Sequence, residues 1–255
     1  MISELTALLT AAARGSYPPA DGSVTVLPPP SPRDVGVVSF TAHAVVFADV
    51  TESWVRERIR PGDLSAPLCP PFLAALGEQA GREVNNIDML TVAEALPGRP
   101  PLELTETVDR GHPRIVRALR HRDAVRAWTT AGGGTLVMGR GVGGRWEVAV
   151  EVADDAQGRG LGRELVRAAR HLVPAGELLW AQVAPGNARS VRALLAAGFR
   201  PVGAEALLVP HGARGQGRSP HSRRRPKGGA DGPVTSGARV LRRRRARRAG
   251  CRPGR

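Results

Sequence analysis

Cysteine is nearly absent from this chain: Cys69 and Cys251 are the only two in 255 residues. Two thiols, one of them in a polar tail, give no disulfide framework and no Cys/His set with zinc spacing, so a core that holds itself and a reducing, cytoplasmic setting are expected. The six histidines, at 43, 112, 121, 171, 211 and 221, show no ligand spacing, and no metal is expected. Aromatic residues make up 4% of the chain and Tyr17 is its only tyrosine, so a catalytic phenol has no second candidate. No apolar run approaches the roughly 20 residues of a membrane span. The opening stretch MISELTALLTAAARG carries Glu4 inside its apolar pattern and predicts an amphipathic helix with Ile2, Leu5, Leu8, Leu9 and Ala12 inward. Ser190 lies in no Gly-x-Ser-x-Gly elbow, which removes a serine hydrolase.

What is abundant is positive charge, and its location decides its meaning. The formal charge is +14 at pH 7. Residues 212–255 hold 14 Arg and one Lys against one Asp, so the whole excess sits there and residues 1–211 balance 22 basic against 22 acidic groups. That tail has scarcely a large apolar side chain to offset the entropy of ordering, and disorder is expected over 211–255. A run such as LRRRRARR (241–248) could neutralise several phosphates, so nucleic acid is a partner only through the tail.

Along the rest of the chain the elements alternate. The Pro-rich stretch 16–33 predicts a loop or docking strand; VGVVSFTAHAVVFA (35–48) a buried strand or strand pair; ESWVRERI and PFLAALGEQAG helices; NNIDMLTVAE a strand. Three prolines in LPGRPP (96–101) make the best domain boundary, dividing an N-terminal α/β region (1–100) from residues 101–210. In the second part a helix around HPRIVRALRHR precedes three hairpin strands joined by glycine turns, and then strand, helix, strand, helix, strand. The pattern predicts an α/β fold with a mixed sheet containing one parallel crossover.

The chemical signal is QGRGLG, Gln157 to Gly162, between the apolar strand RWEVAVEV and a helix. Glycines there let backbone amides and a positive helix end converge on an anion. A Walker loop would need Lys and Ser or Thr where Arg163 and Glu164 stand, and a dinucleotide fold would need its last glycine at Arg163. What remains is Gln/Arg-x-x-Gly-x-Gly after a strand, and the order continues through LLWAQVA, Asn187 and the Gly198-Phe199 pair. Residues 145–203 resemble the GCN5-related N-acetyltransferase (GNAT) family in that order, and 101–210 in their sequence of elements. The first hundred residues are a candidate for a degenerate half of the same fold.

The resemblance implies an acyl donor, acetyl-CoA, with its pyrophosphate on Gln157, Gly158, Arg159, Gly160, Leu161, Gly162 and Arg163. It implies the pantetheine arm between the strands that end at Val152 and Ala184, with the backbone near Val150 and Val152 polarising the thioester. Asn187 would contact the CoA arm, and its residue type equally predicts an N-cap for helix 188–198. The acceptor would be a small-molecule or protein amine, attacked directly in a ternary complex. Strand alternation puts Glu147, Ala149 and Glu151 on one face, so Glu147 is the first candidate base and Glu151 the second. Many members carry that glutamate one position earlier, where Trp146 stands, and a tyrosine acid where Leu194 stands. Those departures keep two alternatives in view, a catalytically degenerate acyl-CoA-binding protein and a nucleic-acid binder acting through the tail.

Overall fold

Helix α1 (Glu4–Ala13) begins where Ser3 accepts a hydrogen bond from the Thr6 amide, satisfying one of the open donors of the first turn. Leu5, Leu9 and Ala12 of the expected stripe are buried, Leu8 is half-buried, Ala13 is buried beside them, and Thr6 Oγ1 donates to the Gly143 carbonyl at 2.7 Å. These and the following details come from a computed structural model that describes residues 3–212. Ile2 and residues 213–255 lie outside the described residues, and with them the expectations of tail disorder and of nucleic-acid contact.

The valine-rich run folds as a pair, β2 (Val35–Phe40) and β3 (His43–Phe47), turned at Thr41-Ala42. Almost every residue of the pair is buried because both faces are covered. Val38, Phe40, Val45 and Phe47 pack toward α1, while Val35, Val37 and Val46 pack toward α3 (Pro70–Ala80). The Pro-rich stretch supplies β1 (Val24–Leu27), which docks parallel on β3, a second parallel pair beyond the one expected. Helix α2 (Glu52–Arg56) is capped by Thr51. Helix α3 starts on Pro70-Pro71, where a missing amide hydrogen costs nothing, and stops at Gly81 with φ +62°.

One sheet of ten strands runs through the described residues, in the order β1-β3-β2-β10-β4-β9-β8-β7-β6-β5. Strand β4 (Arg82–Glu94) comes from the first half of the chain yet lies between β9 (Leu178–Val183) and β10 (Arg200–Pro210), pairing antiparallel with both. The two regions expected to divide at residues 96–101 therefore share a sheet, and all of the described residues fall within one unit. The Pro-rich segment carries the chain from the middle of the sheet to β5 (Thr105–Glu106) at its edge. On the way Leu96 N donates to the Arg170 carbonyl at 2.8 Å, and His171 Nδ1 meets the Pro97 carbonyl at 2.9 Å.

The second half then follows the predicted order. Helix α4 (Pro113–His121) leads into the meander β6 (Asp123–Thr129), β7 (Gly134–Arg140) and β8 (Trp146–Val152). Helix α5 (Leu161–Ala169) makes the parallel crossover from β8 to β9, and α6 (Ala188–Ala196) returns to β10. Leu165, Val166 and Ala169 of α5 and Leu194 of α6 bury against Val148, Leu179, Ala181 and Val183 on one face. Each leucine and valine among them contributes about 1.5–3 kcal/mol by leaving water. On the opposite face α4 sets Ile115 and Ala118 against Ala127 and Val137.

Candidate active site

Strands β8 and β9 are parallel neighbours for only two register pairs, Trp146 with Leu179 and Glu147 with Trp180. Beyond Glu147 the strands diverge. Strand β8 stays on β7 through Val152, and β9 stays on β4 through Val183, so each has lost its ladder partner on the inner side. Backbone amides and carbonyls along that opening are available to an extended ligand, because a ladder group without a partner must find one.

At the mouth of the opening lies the glycine loop. Gly158 and Gly160 sit at φ +83° and +89°, the left-handed region that glycine enters without penalty. Gly160 is the N-cap of α5 and offers no side chain, while the Arg163 and Glu164 amides bond its carbonyl. The first-turn amides at 161 and 162 stay open, at the positive end of the helix. Gly162 is different: its φ is ordinary, and an added Cβ would meet only Val152 Cγ2 at 3.7 Å. Gln157 is tied inward, donating to the Val152 carbonyl at 3.2 Å and to Asp154 Oδ1 at 2.9 Å, and it accepts from Arg189 of α6. Asn187 caps α6, accepting from the Ser190 amide at 3.1 Å, so the capping role is realised.

The predicted alternation of β8 holds. Val148, Val150 and Val152 pack with α5 and α6, and Glu147, Ala149 and Glu151 face α4. Both glutamates are paired. Glu151 Oε2 accepts from Arg114 Nε at 3.1 Å, and Glu147, 4% exposed, accepts from Arg122 Nε at 2.9 Å and from Arg145 Nε at 2.9 Å. Gln182 of β9 donates to Glu147 at 2.9 Å and to Glu205 of β10 at 3.1 Å. Arg145 joins the same two carboxylates, with Nη2 donating to Glu205 at 2.9 Å. Burial pushes the Glu147 carboxyl up, but the guanidinium groups of Arg145 and Arg122 outweigh it and hold the group below the ordinary carboxylate range. Glu147 is thus a fixed counter-charge: taking a proton there would uncouple two buried ion pairs. Leu194, where the family's tyrosine would stand, is buried in the apolar layer under α6 and supplies no acid.

These elements line one cleft of about 1500 Å³ that runs from the glycine loop to the ends of β2, β4 and β10. Its far end holds residues that belong to none of the sequence motifs. Asp88 lies on β4 directly across from Glu205, and its one hydrogen bond comes from Asn86 Nδ2 at 2.8 Å. Burial pushes the Asp88 carboxyl up; the Asn86 bond opposes this, Glu205 adds to it and Arg117 opposes it, with a net rise. On α4, Arg114, Arg117 and His121 follow the three- and four-residue helical spacing and line the cleft, joined by Arg122 just past the helix end. His121 is held below its usual value by burial and by Arg117, Arg122 and Arg33. A charged residue inside an apolar strand and an arginine stripe at helical spacing were the available sequence signals.

Residues 103–199 match the model of the acetyltransferase (GNAT) family. The matched segment runs from just ahead of β5 to the start of β10 and is similar to that family's domain. Among solved structures, a GNAT-family acetyltransferase from Colwellia psychrerythraea aligns at 10% identity over 57% of this chain and 63% of its own, with a TM-score of 0.35. A putative GNAT acetyltransferase from Novosphingobium aromaticivorans aligns at 19% identity over 50% and 66%, at 0.34. A GCN5-related N-acetyltransferase from Kribbella flavida aligns at 19% over 56% and 65%, also at 0.34. In each of these alignments the chain spans less than two thirds of the solved structure's length. No curated protein matches the chain.

Proposed function

We propose that the protein is an N-acetyltransferase that moves an acetyl group from acetyl-CoA to a primary amine by direct attack in a ternary complex. The observation that carries the reading is the joint geometry of the glycine loop and the β8/β9 opening, which places open helix-end amides at one end of an unladdered backbone channel. The pyrophosphate would bind Gln157, Gly158, Arg159, Gly160, Leu161, Gly162 and Arg163, with Arg189 beside it. The pantetheine arm would continue between the strands, taking the ladder positions that β8 and β9 do not give each other, and a β8 amide around Val150 or Val152 would polarise the thioester carbonyl.

In the reaction the amine nitrogen bonds to the acetyl carbon, the carbon–sulfur bond breaks, and the sulfur leaves as thiolate. Of the two protons that the ammonium loses, one ends on the sulfur and one leaves with solvent. Glu147 and Glu151, the glutamates on the acceptor face, would act through their fixed charge and through ordered water. Asn187 would hold the loop before α6 by its cap and face the donor. The cysteine usage fits a cytoplasmic enzyme, and no helix of the described residues is long and apolar enough to cross a membrane.

Calorimetric titration of the full chain with acetyl-CoA tests the reading. Saturable binding that Gly160→Glu abolishes, with thiol release once an amine is supplied, is the expected result; no binding at all overturns it. A second reading has its own support: with Leu194 buried and both glutamates paired, a protein that binds acyl-CoA without turnover would keep the first result and lack the second.

A further inference from the structure

One end of the cleft holds two opposite charges, Arg117 and Asp88, neither of which is in ion-pair contact among the described residues. Around them the ionic groups are matched: Arg114 with Glu151, Arg122 and Arg145 with Glu147, and Arg33 with Asp123 through two bonds of 3.1 Å. Arg82 donates to backbone carbonyls at Arg33 and Leu208. Arg117 has no such partner; it makes no hydrogen bond or ion pair among the described residues, although it is half-buried on the face of α4 that looks into the cleft. Helix α4 runs against β8 with Arg114 on Glu151 and the following Arg122 on Glu147, and Arg117, between those two in the chain, lines the same cleft. Burial lowers its proton affinity first, Arg114 adds to that, and Asp88 opposes both. Arg122 carries a second open donor: its side chain is 10% exposed and Nη1 is buried without an acceptor. Both observations call for an anion at the same end of the cleft.

The missing cation has an equally specific place. Asp88 is a carboxylate with no cation in ion-pair contact, held by Asn86 alone and facing Glu205, which is committed to Arg145. Asp88 and Arg117 are near enough for each to shift the other.

We infer that the acceptor is a small amine carrying a carboxylate, an amino acid, with its carboxylate on Arg117 and the open Nη1 of Arg122 and its ammonium on Asp88. Arg117 supplies the fork that fits a carboxylate. Asp88 takes the first proton from the ammonium before attack, a role suited to a carboxyl raised by burial, and returns it to solvent after the thiolate is protonated. This inference rests on the acetyl-CoA reading and deepens it.

The test uses the full chain and the twenty proteinogenic amino acids, each paired with its decarboxylated amine. Binding to the CoA complex is followed by thermal shift, and thiol release from acetyl-CoA is followed separately. At least one amino acid should bind the CoA complex, with its decarboxylated amine weaker by about tenfold to a hundredfold. Arg117→Ala should raise Kd or KM for the amino acid by a similar factor while leaving the amine unchanged, and Arg117→Lys should restore part of the preference. Asp88→Asn should lower kcat more than it raises KM and remove an ionisation from the acid limb of the pH profile. The inference fails if no amino acid binds, if the decarboxylated amines do as well, or if the preference survives Arg117→Ala. Those failures leave acetyl-CoA binding intact, whereas absent acetyl-CoA binding removes both this inference and the reading beneath it.

Discussion

Replacing Gly160 and Gly162 one at a time separates what the loop needs for its shape from what it merely contains. Gly160 holds φ +89° at the N-cap of α5, and alanine in that region costs about 1–2 kcal/mol. Space is not the issue, because the nearest atom to the added Cβ is Arg163 Nη2 at 3.8 Å. The loop relieves that strain by turning the amides of 160–162 away from their common point. The cost therefore falls on the ligand-bound form, and acetyl-CoA affinity should drop about 5- to 30-fold. Gly162 has ordinary φ and room beside Val152, and alanine is the better helix former by up to about 1 kcal/mol. Gly162→Ala should keep its acetyl-CoA Kd within about threefold and melt at an equal or higher temperature. Calorimetry and thermal melts of the two variants decide the matter. Equal losses in both would refute the conformational argument, and an unchanged Gly160→Ala would remove the loop from pyrophosphate binding.

Other consequences follow from the buried ion cluster and the caps. Glu147 has a folded pKa below its unfolded value near 4.5, so its contribution is fully present above that value and is lost as pH falls through the folded one. Glu147→Gln should lower stability at pH 7 by about 3–5 kcal/mol and flatten the acid side of a Tm-against-pH curve; an unchanged acid limb would contradict the assignment. At Gly141 an added Cβ would stand 2.2 Å from the Glu147 carboxyl carbon, so Gly141→Ala should destabilise nearly as much, and an unaltered melt would deny that Glu147 is held in place. Asn187→Ala should cost about 1 kcal/mol through the lost cap, or roughly 2–4 °C in Tm. Leu76→Ala, at a fully buried position of α3, should cost about 2–5 kcal/mol in denaturant titrations.

Local signals carried the sequence reading well and long-range ones carried it poorly. The strand pair at 35–48, the glycine-joined meander and the β8–α5–β9 crossover each follow from patterns confined to some thirty residues, and the structure has them in that order. The insertion of β4 between β9 and β10 pairs residues 84 to 128 positions apart, and no turn or period records it. That is also why Asp88 carries no local signal: it reaches the cleft only through that pairing. Alternation placed Glu147 and Glu151 together on one face of β8, but their arginine partners come from α4, from just after it and from the residue before β8, so their charge state was not legible from the strand. The shape of the glycine loop was legible because it is written in six consecutive residues, 157–162.

The most direct test of the account is amide hydrogen exchange with and without acetyl-CoA. If the donor lies along the opened strands with its pyrophosphate on the loop, protection should rise at residues 148–152 and 158–163 and stay unchanged at β1 and β3 on the far side of the sheet. Acetyl-CoA that binds without protecting either segment would contradict the site described for it.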